Sequence, residues 1–116
     1  KTGGWFMVVD KGDNPLNFVD PSGTAMFVYS IQRGVELGLL KAKEYTPVAY
    51  RGYQSLFPFI QVNDRGLLDV IGACDGVVIK KNFIEYVTVP KILNAKEAVA
   101  GILWAAVIME TEQLKK

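Results

Sequence analysis

The stretch DPSGTAMFVYSIQRGVELG, residues 20–38, decides the fold because it begins as a helix and then shows almost no polar face. Ser22 is suited to cap the start, Asp20 places a negative charge near the positive end of the helix dipole, and Gly38 suits the end. The sequence therefore predicts a helix over residues 23–37. Its first turns carry Met26, Phe27, Val28, Tyr29 and Ile31. A helix that is apolar on every side has to be surrounded by other apolar elements.

A second helix is predicted over residues 44–57, where apolar positions recur with helical spacing and leave one wet face. Its expected buried positions are Val48, Ala49, Gly52, Tyr53, Leu56 and Phe57. Pro58 ends it, because proline cannot continue a helix at that point.

A third helix is predicted from Asn94 to about Glu112. Asn94 and Glu97 have the spacing of a capping box, in which each side chain satisfies a backbone N–H of the first turn. From Ala98 to Met109 this helix is apolar on every face, and Trp104 is expected to lie in the core.

Short extended segments are predicted elsewhere in the chain. Residues 3–10 are interpreted as a strand or an extended segment, and residues 67–74 as a short strand. Residues 63–66 and 75–76 are interpreted as tight turns. Residues 77–90 are interpreted as extended or irregular.

The order of a dry, an amphipathic and a dry helix predicts a mainly α fold. A two-layer helical ring produces this order, because inner helices touch neighbours on every side while outer helices face water. The chain offers too few elements to cover both dry helices. We therefore expect residues 1–116 to form a single segment that belongs to a larger assembly or associates with copies of itself.

Composition excludes several classes of function. The net charge of +1 provides no electrostatic basis for binding nucleic acid or an anionic membrane surface. The longest apolar run, of 12 residues, is too short to span a bilayer, and no signal peptide is visible. The chain has no histidine, which removes the serine triad and zinc sites built on histidine. The single cysteine, Cys74, is interpreted as a buried and inert thiol.

Several segments in order resemble one family. Residues 5–10 form an aromatic-rich W-x-x-V-x-D pattern, and residues 12–17 form a loop with glycine and asparagine. Residues 22–27 follow as a helix start, and residues 34–39 follow as a helix end with glycine at positions 34 and 38 and leucine at position 39. This order resembles the C-terminal third of the family 105 glycoside hydrolases, the unsaturated rhamnogalacturonyl hydrolases, which are related to the unsaturated glucuronyl hydrolases of family 88. Residues 64–74 and 89–112 are similar to the family's later hairpin and final helix.

The resemblance implies the C-terminal part of an (α/α)6 barrel, with three helices and short strands or hairpins. The implied reaction releases a 4,5-unsaturated uronic acid from pectin-derived oligosaccharides: a carboxylic acid protonates the double bond and water adds at the neighbouring carbon, with no metal or other cofactor. The family's catalytic aspartate lies upstream of the matched region. We therefore expect this chain alone to be inactive, with no catalytic residue of its own. Where the family tends to Glu followed by Thr or Ser, this chain has Asp20 and Pro21.

The candidate substrate-binding residues are Trp5, Asp20, Ser22, Thr24 and Asp75. The Trp5 ring is a candidate to stack on a sugar, although core packing is the simpler interpretation. Asp20, Ser22 and Thr24 are candidates to meet ligand hydroxyls at a helix start, or they serve only to cap it. Asp75 is placed on a loop at the barrel mouth, with a plain hairpin turn as the alternative.

Other residues are weaker candidates. Asp10, Asp13 and Asp20 are candidates for a pair of carboxylates in general acid–base catalysis. Their presence is explained more simply if they form a loop, a turn and a helix cap. Tyr86, Lys91 and Lys96 are candidates for a uronate carboxylate, with solvated surface as the alternative.

Two partners are expected: an oligosaccharide substrate in the full-length protein, and either another copy of the chain or the missing upstream part of the barrel. The alternative function is a truncated, non-catalytic helical module that oligomerises or binds carbohydrate. The sequence leaves the compartment open between a bacterial cytoplasm and periplasm.

Overall fold

The computed structural model describes residues 3–115, and its fold is mainly α, as predicted. The helices are α1 (Pro21–Glu36), α2 (Ala42–Gln54), α3 (Phe83–Val87) and α4 (Lys96–Leu114). The strands are β1 (Ile60–Val62), β2 (Leu68–Val70), β3 (Ala73–Cys74) and β4 (Lys91–Ile92). The three long helices confirm the predicted ones to within about three residues at each end.

Helix α1 is the central element because it packs against both α2 and α4. Its contact with α4 is close, since small residues line the meeting faces. A Cβ added to Gly101 would lie 3.2 Å from the Cβ of Ala25. Ala98 and Ala105 are fully buried in the same core. Small side chains let two helix backbones approach closely, so this seam depends on residue size.

Helices α2 and α4 contact each other little, but one polar link joins them. The Tyr53 hydroxyl donates a hydrogen bond of 2.7 Å to Oε1 of Glu110. Burial, followed by this hydrogen bond and the negative charge of Glu110, raises the pKa of Tyr53 to about 12. The phenol therefore stays protonated at neutral pH and serves as a donor between the two helices.

The four strands form two separate two-stranded sheets. Strands β1 and β2 pair antiparallel, with Ile60 opposite Val70, and the predicted turn contains Gly66 at a φ of 74°. Strands β3 and β4 pair antiparallel, with Cys74 opposite Lys91.

Three sequence predictions are corrected by the structure. Residues 3–10, predicted as a strand or an extended segment, form a single bridge between Phe6 and Val19 instead of a regular strand. The segment predicted as irregular over residues 77–90 contains α3, which begins after Asn82, whose side chain accepts a hydrogen bond from the Glu85 N–H. Trp104 was expected in the core, but 62% of its surface is exposed.

The molecule is flattened, with extents of 42 × 39 × 23 Å. Its radius of gyration is 14.8 Å, whereas a compact domain of this length has about 13 Å. This shape leaves large apolar side chains on the surface, as the sequence predicts. Among residues 3–115, none of the helices is both long and apolar enough to cross a membrane.

Candidate functional site

The start of α1 is held by Asp20. Its Oδ1 accepts hydrogen bonds from the Ser22 N–H at 3.2 Å and the Ser22 hydroxyl at 2.9 Å, and its Oδ2 accepts one from the Gly23 N–H at 3.2 Å. The predicted cap was Ser22, so the cap lies two residues earlier than expected. Pro21 explains the shift, because proline suits the first helical position, where no N–H is needed.

A cavity of about 230 Å³ opens beside this helix start. Four parts of the chain form it: the N-terminal loop, the beginning of α1, strand β3 with the loop that follows it, and the first turn of α4. The lining residues are Met7, Asp20, Ser22, Met26, Cys74, Gly76, Val77 and Glu97. The structure thus brings together two of the predicted binding residues with residues far away in the sequence.

Glu97 is the residue of this cavity that sequence reasoning missed. Its Oε2 is buried and has no hydrogen-bond partner within the described part of the chain. The sequence predicted that Glu97 would pair with Asn94 in a capping box, which is wrong. Ala95 precedes α4, and no side chain caps the helix there. Because Glu97 does not cap the helix, its carboxylate is free to line the cavity.

Asn94 does not cap α4 because it is used elsewhere. Its Oδ1 accepts a hydrogen bond of 2.7 Å from the Val70 N–H, and its Nδ2 donates one of 2.9 Å to Asp69. Its backbone has a φ of 54°, in the left-handed region that asparagine tolerates better than most residues. The side chain therefore joins the start of α4 to strand β2.

Cys74 borders the cavity as a protonated thiol. It is buried, as the sequence predicts. Burial raises the pKa of the thiol, the Asp20 carboxylate raises it further, and Lys91 partly lowers it. A thiol held protonated in this way is a poor nucleophile, so the residue contributes shape rather than covalent chemistry.

Thr24 and Trp5 hold each other in place. Thr24 is fully buried, and its Oγ1 accepts a hydrogen bond of 2.9 Å from the Trp5 N–H. The Trp5 ring packs on Gly52, where an added Cβ would lie 2.8 Å from Cζ3, and it meets Phe27 edge-on at 5.3 Å. Thr24 therefore has a structural role, and it is not one of the proposed binding residues.

Part of Trp5 reaches a second hollow, of about 570 Å³, on the N-terminal loop. This hollow is lined by Gly3, Gly4, Trp5, Phe6, Val9, Gly12 and Asp13. Asp13 lies here, and Asp10 lies on the surface 3.7 Å from the Lys11 ammonium. The carboxylate that shares a cavity with Asp20 is therefore Glu97, and neither Asp10 nor Asp13 lines that cavity.

The remaining candidates lie outside the Asp20 cavity. Asp75 is exposed at its rim, between two lining residues. The Tyr86 hydroxyl accepts a hydrogen bond from the Lys80 N–H, and the Lys91 ammonium lies 3.9 Å from the centroid of the Phe18 ring. Lys96 borders a separate apolar hollow along α4. Within residues 3–115, no group of three or more cysteine and carboxylate side chains is arranged to hold a metal ion.

Comparison with known proteins places this chain in a family. The chain matches the sequence pattern described as Glycosyl Hydrolase Family 88 over residues 1–113. It is also similar in structure to a family 105 glycoside hydrolase from C. acetobutylicum ATCC 824, with a TM-score of 0.83 and 27% sequence identity. That match covers 93% of this chain and 32% of the other. Both comparisons confirm the predicted relationship and the partial helical barrel, so the chain belongs to glycosyl hydrolase family 88.

Proposed function

We propose that this chain is the C-terminal part of a glycoside hydrolase that releases 4,5-unsaturated uronic acid from pectin-derived rhamnogalacturonan oligosaccharides. The observation that carries the proposal is the position of the helix-start motif. Asp20 and Ser22 belong to the segment that resembles the family, and both line the cavity between the starts of α1 and α4. The chain spans about a third of the length of the family 105 structure that it matches, so the rest of the site comes from elsewhere.

The cavity supplies hydrogen-bond acceptors for sugar hydroxyls. The Asp20 carboxylate already accepts three hydrogen bonds, which leaves room for about one more. Oε2 of Glu97 has its acceptor capacity unused. A buried acceptor without a partner costs about 1–3 kcal/mol, and a ligand hydroxyl would relieve that cost.

The charges of the cavity favour a neutral part of the substrate. Two carboxylates line it, and no lysine or arginine is among the lining residues. A uronate carboxylate would be repelled there, whereas the hydroxyls of a neutral sugar would donate to Asp20 and Glu97. We therefore assign the cavity to a sugar hydroxyl group rather than to the uronate.

Trp5 and Asp75 extend the proposed binding surface. The Trp5 ring forms one wall of the N-terminal hollow, where its exposed part is available to an apolar sugar face. Asp75 stands at the rim of the Asp20 cavity. Neither residue has a role in the chemistry of the reaction.

Catalysis is assigned to the part of the barrel that this chain does not cover. There an aspartic acid would protonate the double bond, and water would add at the neighbouring carbon. The present chain would bind and orient the substrate, and alone it would be inactive.

The test is a chimera in which this chain replaces the matching third of the C. acetobutylicum protein. The readout is loss of the ultraviolet absorbance of the double bond in an unsaturated rhamnogalacturonan disaccharide, with the parent protein measured alongside. We expect hydrolysis by the chimera, none by the chain alone, and a raised KM when Ser22 or Glu97 is replaced by alanine. A folded chimera that leaves the substrate intact while the parent hydrolyses it would overturn the proposal.

An oligomerising, non-catalytic module is the second candidate, and the exposed apolar side chains of α4 favour it. Light scattering on the isolated chain distinguishes the two. The non-catalytic module would be supported by two results together. The isolated chain would form a stable oligomer that binds the disaccharide without cleaving it, and the chimera would also be inactive.

A further inference from the structure

Four residues shortly after strand β3 form a loosely held apolar segment. We call residues 76–79 the flap, and they are Gly76, Val77, Val78 and Ile79. Within residues 3–115, the flap takes part in no hydrogen bond and no ion pair. The exposed fraction of its side chains rises from 40% at Val77 to 72% at Val78 and 94% at Ile79. A segment with few contacts and high exposure opens at a low cost in free energy.

Both ends of the flap are fixed to the rest of the chain. Before it, Cys74 pairs with Lys91 in the sheet of β3 and β4. After it, the Lys80 N–H donates a hydrogen bond of 3.0 Å to the hydroxyl of Tyr86, which belongs to α3. A movement of the flap therefore leaves the sheet and α3 in place.

Gly76 provides a hinge at the start of the flap. Its φ is 75°, in the left-handed region that favours glycine. A Cβ added to Gly76 would meet no atom within 4 Å, so packing does not hold the residue in this conformation. Glycine at this position lets the backbone change direction between the fixed strand and the exposed valines.

The flap borders the Asp20 cavity. Gly76 and Val77 are among the residues that line it. Val78 and Ile79 follow them directly in the chain, so a rotation of the backbone at Gly76 would carry both side chains across the opening. The cavity thus offers carboxylates to sugar hydroxyls, while the flap offers aliphatic side chains to the C–H surface of the same sugar.

We propose that the flap closes over the neutral sugar bound in the Asp20 cavity, and that Val78 and Ile79 pack on the apolar surface of its ring. The inference rests on the proposed function, in which the cavity takes a neutral sugar by its hydroxyls. Closure removes two exposed aliphatic side chains from water, which favours binding in proportion to the apolar area buried. It also excludes water from the hydrogen bonds between sugar and carboxylates, which strengthens them.

The experiment follows the flap in the chimera by its cleavage with trypsin. The probe is L-rhamnose, a neutral sugar that has no glycosidic bond to cleave. Trypsin cuts after lysine, and Lys80 and Lys81 directly follow the flap. If the sugar is held only under a closed flap, we expect cleavage at these lysines to slow about tenfold when L-rhamnose is at about ten times its dissociation constant. Isothermal titration calorimetry measures that constant.

The test variant is the double change Val78→Ser and Ile79→Ser, which keeps the backbone of the flap and removes its apolar side chains. The control is Leu39→Ser, an exposed leucine in the turn after α1. The test variant should bind L-rhamnose at least about fivefold more weakly and lose most of the protection from trypsin, because the apolar contact is gone. The control should keep both. In either variant the Tm of the sugar-free chimera should change by less than about 2 °C, since these side chains face water.

Two results would overturn the flap. The test variant could bind L-rhamnose as tightly as the unaltered chimera, with the same protection from trypsin. Alternatively, the test variant could lower the Tm of the sugar-free chimera by more than about 5 °C, which would mean that Val78 and Ile79 pack against the rest of the protein. A chimera that L-rhamnose protects through the flap but that cleaves no unsaturated disaccharide would instead contradict the proposed function alone.

Discussion

Helix α1 begins with a side-chain cap and helix α4 does not, which is the opposite of what their sequence motifs suggest. The sequence shows its clearest capping motif at α4, yet no side chain caps that helix. At α1 the cap is Asp20, whose carboxylate accepts three hydrogen bonds from the first turn. The difference teaches that a capping motif describes what a side chain is able to do locally. Tertiary contacts decide whether that side chain is available.

The largest loss of stability is expected from removing the hydrogen bonds by which the Asn94 side chain joins α4 to β2. Asn94→Ala removes the acceptor of the Val70 N–H and places alanine at a φ of 54°. We expect the free energy of unfolding to fall by about 2–4 kcal/mol, from the unsatisfied N–H and the left-handed backbone together. Urea unfolding measures it. Asn94→Gly is the control, because glycine adopts this φ freely and should lose about 1 kcal/mol less. If both variants lose the same free energy of unfolding, the left-handed backbone at residue 94 does not contribute to the loss.

A smaller effect is expected from removing the cap of α1. Asp20→Ala should lower the free energy of unfolding by about 0.5–2 kcal/mol, the usual cost of losing an N-cap. Glu97→Ala is the matched change at α4, and it should cost less, because its Oε2 makes no hydrogen bond in the described structure. Urea unfolding of both variants tests the comparison. A larger loss for Glu97→Ala would mean that the carboxylate supports the helix after all.

The smallest effect is expected from a substitution that removes the charge of Asp20 but keeps a side chain able to cap α1. Asp20→Asn keeps a capping side chain but removes the negative charge that raises the pKa of Cys74. Because that charge disfavours the thiolate, the pKa of Cys74 should fall, although burial still keeps it above the ordinary value. The ultraviolet absorbance of the thiolate against pH measures the shift, with Cys74→Ala variants as blanks. If the titration is unchanged, the Asp20 charge does not contribute to the raised pKa of Cys74.

Local patterns predicted most of the secondary structure. The period of apolar residues located α2, whereas long apolar runs with cap and end residues located α1 and α4. Gly38 marks the end of α1 with a φ of 74°. Most of the positions predicted to be buried in the second helix are buried, namely Ala49, Gly52, Tyr53 and Leu56. Val48 is only half-buried, and Phe57 lies beyond the end of α2 and is half exposed while its ring contacts Tyr53. Helix α3 was missed because its five residues are too few to show a helical period.

The candidate site was predicted only in part. Asp20 and Ser22 were found because a helix start exposes polar groups, and both line the cavity. Glu97 was missed as a lining residue because its local spacing suggested a cap instead. Trp104 was assigned to the core because an apolar helix requires covering, but its ring packs only on one side, against Tyr29, and 62% of its surface stays exposed.

The sequence by itself determined where the three long helices lie, which of them were too apolar to stand alone, and which family the chain resembles. These properties depend on residue type and on spacing over a few residues. Only the tertiary structure decided that Asn94 joins α4 to β2, that Glu97 and Asp20 share one cavity, and that α4 buries one face while Leu103 and Val107 stay exposed. Each of these depends on residues far apart in the chain competing for the same hydrogen bond or the same space.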